Sequence, residues 1–133
     1  MPDCSRRTLL GAALALSACA TAEPIDPLAG TEWRRSDDEN AAPHFPTLAF
    51  TERGASGFAG CNRWFSAVTR DATAMQFGNV GMTRMACLAE SQAATERNFS
   101  DVLERTRGWR MENDELVLLD EAGAQLARFV RNS

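Results

Sequence analysis

In one short stretch of this chain apolar and other residues alternate, and in another the apolar residues recur at helical spacing. Within Thr47–Thr51, Leu48 and Phe50 fall on one side, which is the period-two pattern of a half-buried strand. Between residues 88 and 106 the apolar residues follow a helical period without Gly or Pro, which predicts an α-helix. Three stretches separated by turn residues predict a closing meander of strands: Trp109–Met111, Glu115–Leu119 and Gln125–Arg131.

These elements predict a mainly β (α+β) fold. About seven or eight short strands with turn signals between them are typical of an antiparallel, barrel-like sheet. The single helix near residues 88–106 would cover part of that sheet. Gly57 and Gly60 interrupt the stretch Ala55–Val68, where glycine marks a bend, a bulge or a close approach of the backbone.

The N-terminus has the parts of a secretory leader. Arg6 and Arg7 precede the apolar run Leu9–Leu16, which is too short to span a bilayer because that requires roughly 20 apolar residues. The leader ends in Leu16-Ser17-Ala18-Cys19, which resembles the lipobox of bacterial lipoproteins. We therefore predict a lipoprotein signal peptide over 1–18 and lipid attachment at Cys19. An ordinary leader cut near Ala18 or Ala20, in which Cys19 has no special role, is the alternative.

Lipidation at Cys19 predicts a membrane-anchored protein of the cell envelope that faces the periplasm. A thioether-linked lipid pair plus an N-acyl chain such as palmitate satisfies the two-signal requirement for stable anchoring. Ala20 stands after the cysteine in place of an aspartate, which favours the outer membrane over the inner. The pair Arg6-Arg7 also fits the twin-arginine export pattern, so that route and the general route both remain open.

The composition of the mature part argues against several function classes. Losing Arg6, Arg7 and Asp3 with the leader takes the formal net charge from −4 to −5, which argues against a nucleic-acid surface. His44 is the single histidine, so a histidine-rich metal site cannot form, and its position between Pro43 and Phe45-Pro46 predicts a loop or strand-edge role. We predict no enzyme activity, no cofactor and no metal, and a linker over 19–27 followed by one domain over 28–133.

Two cysteines remain once Cys4 is assigned to the leader and Cys19 to the lipid. In an oxidising compartment the pair Cys61 and Cys87 predicts a disulfide. This bond closes a loop of about 27 residues, worth roughly 3.5 kcal/mol on the chain-entropy estimate. A redox-active pair is the alternative, although the CxxC spacing that favours it is absent.

Two segments that contain these cysteines resemble a known family. Gly57–Ser66, with Gly60-Cys61-Asn62-Arg63 at its centre, is similar to the G-x-x-G-C-N-R-[FY] signature of the META domain, which is found in HslJ-like heat-shock lipoproteins. Thr83-Arg84-Met85-Ala86-Cys87 matches the second signature, T-[RK]-M-x-C, and Glu96 and Phe99 also stand at the spacing of the family. The resemblance covers nearly all of Leu28–Val130. It implies an antiparallel barrel-like fold with one helix, an envelope location and an association with stress tolerance and antibiotic resistance, and it implies no enzymatic activity.

Asn62, Arg63 and Arg84 are the candidate binding or structural residues. An Asn amide can satisfy backbone groups at a bend, or it can bind a ligand. The two arginines can brace the cysteine-bearing segments, or they can face an acidic partner or an anionic lipid headgroup. The sequence therefore predicts a lipid-anchored binding protein whose partner is the membrane together with an unidentified envelope protein or small ligand. A thiol-redox protein and a carrier of a small apolar ligand are the alternatives.

Overall fold

The computed structural model describes residues 26–132, which contain nine strands and one α-helix. The helix, α1, comprises Glu90–Arg105 and so differs from the predicted range by one or two residues at each end. A short 3-10 helix, Glu39–Ala41, follows the first strand. The strands are β1 Glu32–Arg35, β2 Thr47–Phe50, β3 Gly54–Phe58, β4 Arg63–Arg70, β5 Met75–Phe77, β6 Gly81–Met82, β7 Gly108–Glu112, β8 Glu115–Leu119 and β9 Gln125–Arg131.

The strands form one antiparallel sheet that is nearly closed into a barrel. Their order is β5-β4-β3-β2-β1-β9-β8-β7, and β6 pairs with β4 beside this path. Because β1 lies between β2 and β9, Trp33 pairs with Leu48 on one side and with Arg131 on the other. The outer strands meet at a bridge between Ala74 and Gly108. The predicted barrel-like fold with one helix is confirmed.

Backbone hydrogen bonds hold the seam where the barrel closes. The N–H of Met75 donates to the carbonyl of Arg107 at 3.1 Å, and the N–H of Trp109 donates to the carbonyl of Thr73 at 3.0 Å. The indole N–H of Trp109 also donates to the carbonyl of Asp71 at 2.9 Å. The turn after β4 is therefore joined to the start of β7.

The alternation of side chains along the strands decides what fills the barrel. In β4, Trp64, Ser66 and Val68 are buried, whereas Arg63 and Phe65 are exposed. In β2, the buried residues are Leu48 and Phe50, as their period-two spacing predicted. The largest fully buried side chains of the core are aromatic: Trp33, Trp64, Phe99 and Phe129.

Helix α1 contributes one apolar side to this core. Its buried residues are Thr95, Phe99, Val102 and Leu103, which share one face because a helix turns once in 3.6 residues. The ring of Phe99 packs edge-on against Trp64, with ring centroids 5.7 Å apart, and against Phe129 at 6.3 Å. This packing fixes the distance of the helix from the sheet and its rotation about its own axis, and therefore the position of Glu96.

Several predictions fall on residues outside those described. These are the leader over 1–18, lipid attachment at Cys19, the export signals and most of the linker over 19–27. Of the linker only Asp26 and Pro27 are described, and both are exposed. Within residues 26–132, no helix combines the length and the apolar character needed to cross a membrane.

Asp26 marks where the described chain meets the barrel. Its carboxylate accepts the N–H of Leu28 at 3.0 Å and pairs with Arg70 at the end of β4. Burial raises the pKa of Asp26, but the hydrogen bonds from Arg70 and Leu28 outweigh it and leave the pKa below its ordinary value. The carboxylate is thus held charged, and the chain enters the barrel beside Arg70.

Candidate functional site

The turn between β3 and β4 lies directly against helix α1. Gly60 in this turn has φ +126°, a conformation that side chains rarely adopt. A Cβ atom at Gly60 would lie 3.0 Å from Cγ2 of Thr95 and 3.1 Å from the backbone nitrogen of Glu96. Glycine therefore allows the turn to approach the helix closely enough for Glu96 to reach it.

Glu96 binds the turn through both of its carboxylate oxygens. Oε1 accepts the backbone N–H groups of Cys61 at 3.1 Å and of Asn62 at 2.6 Å. Oε2 accepts the side-chain amide of Asn62 at 2.9 Å. Hydrogen bonds to an ionised acceptor are stronger than neutral ones, so this carboxylate is a principal link between the helix and the sheet.

Asn62 is buried, with 5% of its surface exposed, and its amide joins the turn to a second segment. Its Oδ1 accepts the backbone N–H of Met85 at 2.6 Å and the hydroxyl of Thr83 at 3.0 Å. Its Nδ2 donates to the carbonyl of Met85 at 3.2 Å as well as to Glu96. Both lone pairs and both donors of the amide are thereby used inside the protein. Of the two roles considered for Asn62, the structure shows the structural one.

The segment 83–89, which we call the clamped loop, is fixed at three points. At its start, the N–H of Thr83 donates to the carbonyl of Arg63 and the N–H of Arg63 donates to the Thr83 hydroxyl, each at 3.0 Å. In its middle, Met85 is held by Asn62. Near its end, Cys87 forms the predicted disulfide with Cys61, with Cα atoms 5.5 Å apart. This confirms the pairing, and no cysteine of the described residues is free.

The sulfur atoms of Cys61 and Cys87 and a carboxylate oxygen of Glu96 lie within 4.8 Å of one another. This is a spacing that a metal could use, but both sulfurs are joined in the disulfide. The oxygens of Glu96 already accept hydrogen bonds from the turn. The donor chemistry of the group therefore matches a structural clamp.

Arg63 and Arg84 do not brace the cysteine-bearing segments with their side chains. Both side chains are exposed, and within residues 26–132 neither guanidinium takes part in an ion pair or a side-chain hydrogen bond. The bracing comes instead from the backbone of Arg63, the hydroxyl of Thr83 and the amide of Asn62. The guanidinium groups are left pointing to solvent, where they can meet a partner.

Exposed apolar side chains lie close in sequence to these two arginines. Leu88 is 96% exposed, Met85 is 65% exposed and Phe65 is 60% exposed. The ring of Phe65 lies over Gly81, its partner residue on β6, and a Cβ atom added at Gly81 would overlap the ring. The exposed ring therefore packs on the backbone of β6. We call this region the arginine–apolar face; it consists of Arg63, Phe65, Val80, Arg84, Met85 and Leu88.

The described groups with shifted pKa values lie away from this face. Hydrogen bonds from the backbone of Ala74 and Thr73 lower the pKa of Asp71 at the seam. Hydrogen bonds from Arg128 and Arg110 lower the pKa of Glu112, and Glu112 in turn raises the pKa of Arg128. Each shift favours the charged form in a turn or an ion pair.

Residues 26–133 match the model of the META domain. The chain belongs to the META domain family. Among curated proteins none matches it. The family membership agrees with the two cysteine motifs, which form the clamp in this structure.

This META domain resembles several solved chains, and two of them are NMR structures. One is an NMR structure of a protein from Burkholderia xenovorans, with 26% sequence identity and a TM-score of 0.60; the match covers 88% of this chain and 95% of that one. The other is also an NMR structure, with 18% identity and a TM-score of 0.59, covering 77% of this chain and 90% of that one. The second likeness concerns the fold alone.

The sequence did not reveal what Glu96 and Gly60 do. The sequence indicated Glu96 only as a position that fits the family spacing. Its hydrogen-bonding partners Cys61 and Asn62 are more than thirty residues away in the sequence. Gly60 was a candidate for a close backbone approach, and the structure identifies helix α1 as the element it approaches. Residue type gave no signal for Glu96, because it is one of four acids in the predicted helix and acids on a helix surface are usually solvated.

Proposed function

We propose that this META domain is a non-enzymatic binding protein of the bacterial cell envelope, attached by lipid at Cys19 and facing the periplasm. The lipobox-like end of the leader supports the anchor, and the Cys61–Cys87 disulfide fits an oxidising compartment. The outer membrane is the preferred location because Ala20 follows Cys19. By the family resemblance, its role is to support envelope stress tolerance or antibiotic resistance.

The arginine–apolar face is the observation that carries the binding proposal. The clamp uses the amide of Asn62 and the carboxylate of Glu96 internally, yet it leaves Leu88 and Met85 exposed on a fixed backbone. A patch of exposed apolar groups with charged groups beside it marks an interaction surface. The loop is ordered before it binds, so binding costs little conformational entropy.

Crosslinking in cells tests this role. A photoreactive residue at Leu88 should capture a defined envelope component, whereas the same group at Asp114, on the exposed turn between β7 and β8, should not. The mass of the N-terminal peptide tests the anchor, since lipid at Cys19 adds the mass of the acyl chains. An unmodified N-terminus would refute the anchor, and equal capture from Leu88 and Asp114 would refute the face.

A carrier for a small apolar ligand has less support. The interior of the barrel is filled by Trp33, Trp64, Phe99 and Phe129, which are fully buried. A ligand inside the barrel would have to displace these side chains, because protein cores are packed as densely as organic crystals.

A thiol-redox role also has less support than a structural bond. The backbone of Cys61 is fixed by Glu96, and Asn62 would hold the two cysteine segments together even without the disulfide. Alkylation before and after mild reduction separates the two roles. A bond that resists mild reductant is structural, whereas a mixed population that shifts with it would favour redox chemistry.

A further inference from the structure

The segment that builds the arginine–apolar face differs in charge from the rest of the chain. From residue 53 to residue 89 there are four arginines and a single acid, Asp71, although the chain as a whole carries a formal net charge of −4. Asp71 lies past the end of β4, at the opposite end of that strand from Arg63, and its Oδ1 accepts backbone N–H groups of its own turn. The face is therefore cationic on an acidic protein, which favours an anionic partner.

The contacts of the clamp bring the parts of this face together. Arg63 and Phe65 point to the same side of β4, since residues two apart share a face of a strand. Arg84 follows Thr83, whose backbone and hydroxyl bond to Arg63. Leu88 follows Cys87, which is bonded to Cys61 beside the start of β4. Protruding apolar side chains thus stand next to two guanidinium groups with no described partner.

This combination fits the surface of an anionic membrane. Apolar side chains such as Leu88 and Met85 can enter the boundary between headgroups and acyl chains, while arginines remain at the level of the phosphates. Anionic lipids attract each nearby arginine and hold it within a Debye length of the surface.

The site where the chain enters the barrel is compatible with such docking. Cys19 precedes Asp26 by seven residues, which reach about 23–25 Å when extended. Asp26 is paired with Arg70, at the other end of β4 from Arg63, and a strand of this length measures about 23 Å. A lipid at Cys19 therefore allows the exposed side of β4 to lie along the membrane.

We propose that the arginine–apolar face docks on anionic phospholipid headgroups, with Arg63 and Arg84 at the phosphates and Leu88 and Met85 inserted beside them. The proposal rests on the proposed function in that the lipid at Cys19 keeps the domain close to such a surface. The fold supplies the orientation, because the clamped loop presents these side chains from a backbone that is already fixed.

Vesicle sedimentation tests this directly. The protein is the mature chain 19–133 with Cys19→Ser and the disulfide formed; it contains every described residue, and it excludes the basic, apolar leader, which would itself bind vesicles. The vesicles are phosphatidylcholine alone, or phosphatidylcholine mixed with phosphatidylglycerol. We expect binding to the anionic vesicles only, with affinity that falls as salt increases.

Substitutions then localise the contact. Arg63→Gln and Arg84→Gln should each weaken binding about fivefold, and Leu88→Ser about tenfold. Arg110→Gln with Met111→Ser is the matched control, because it removes an exposed arginine and an exposed apolar residue from β7, outside the arginine–apolar face. Thermal unfolding of each variant verifies that the barrel is intact.

Three results would overturn the proposal: equal binding to both kinds of vesicle, no binding to either, or the same loss for the control as for the face variants. Capture of a protein in place of lipid by a crosslinker at Leu88 in cells would also overturn it. The lipidation of Cys19 does not enter the vesicle assay. Failure of the anchor and failure of the docking are therefore observed separately.

Discussion

Glu96 accepts two hydrogen bonds from Asn62, one from its backbone N–H at 2.6 Å and one from its side-chain amide at 2.9 Å. Asn62 uses the rest of its amide to hold Met85 and Thr83. The two residues thus join helix α1, the turn before β4 and the clamped loop. Three predictions test the structure built around this pair, and a fourth tests the seam of the barrel.

Exchanging the amide of Asn62 for a carboxylate should destabilise the domain strongly. In Asn62→Asp the oxygen that replaces Nδ2 faces Oε2 of Glu96, so a hydrogen bond becomes a repulsion between two acids. We expect a loss of about 3 kcal/mol or more in the free energy of unfolding near neutral pH, measured by urea denaturation. Adding Glu96→Gln restores a donor at this place and should recover part of the loss. Asn79→Asp, at an exposed position, is the control and should change little; an Asn62→Asp variant as stable as this control would contradict the clamp.

Gly60→Ala should cost more stability than Gly123→Ala. Both glycines have positive φ, +126° and +84°, so both substitutions strain the backbone. Only at Gly60 would the new Cβ also meet the helix, whereas nothing lies within 4 Å of a Cβ at Gly123. We expect about 1 kcal/mol for Gly123→Ala and at least twice that for Gly60→Ala, by chemical denaturation. Equal losses of stability in the two variants would mean that the turn at Gly60 does not pack closely against α1.

Replacing both Cys61 and Cys87 by Ser should lower stability without abolishing the fold. The disulfide closes a segment with a sequence separation of 26, which is worth roughly 3.5 kcal/mol on the chain-entropy estimate. Because Asn62 and Thr83 still hold the clamped loop, far-UV circular dichroism should remain native. Amide hydrogen exchange should accelerate mainly in residues 83–89. Unchanged stability, or complete unfolding, would contradict a clamp with two independent parts.

Acid should weaken the seam through Asp71. Its pKa in the folded protein is lowered by the N–H groups of Ala74 and Thr73, so its contribution to stability is present above the unfolded pKa of about 3.9 and is lost as the pH falls through the lower folded value. Asp71→Asn keeps an oxygen acceptor but does not titrate. The variant should be less stable than the parent at neutral pH, and the difference in thermal midpoint should shrink below about pH 4. Glu121→Gln, an exposed change of the same charge, is the comparison; a difference that grows on acidification would refute this assignment.

The sequence predicted the fold well where a single element carries its own pattern. The spacing of Phe99, Val102 and Leu103 gave helix α1 to within two residues, and the alternation around Leu48 and Phe50 gave β2. Strand β6, Gly81–Met82, was not predicted because two residues cannot display a period. It exists because β4 offers an edge at Trp64 and Phe65.

The clamp was harder to predict because it depends on contacts distant in sequence. The family motifs named Asn62, Arg63 and Arg84, and the cysteine count gave the disulfide. The link through Glu96 depends on how far α1 lies from the turn, which is set by Gly60 and by the packing of Phe99. Residue type alone also suggested that arginine side chains do the bracing, whereas a threonine hydroxyl and backbone groups perform it.

The position of β1 between β2 and β9 also constrains how the domain is made. Trp33 gains its second neighbour only when Arg131 is available, so the sheet cannot be completed until the ribosome has synthesised the last strand. A nascent chain that still lacks β9 exposes one edge of β1 and one edge of β8, which are free to pair wrongly. Loss of the final strand, by a premature stop codon or by trimming, should therefore produce an aggregating product instead of a slightly weakened barrel.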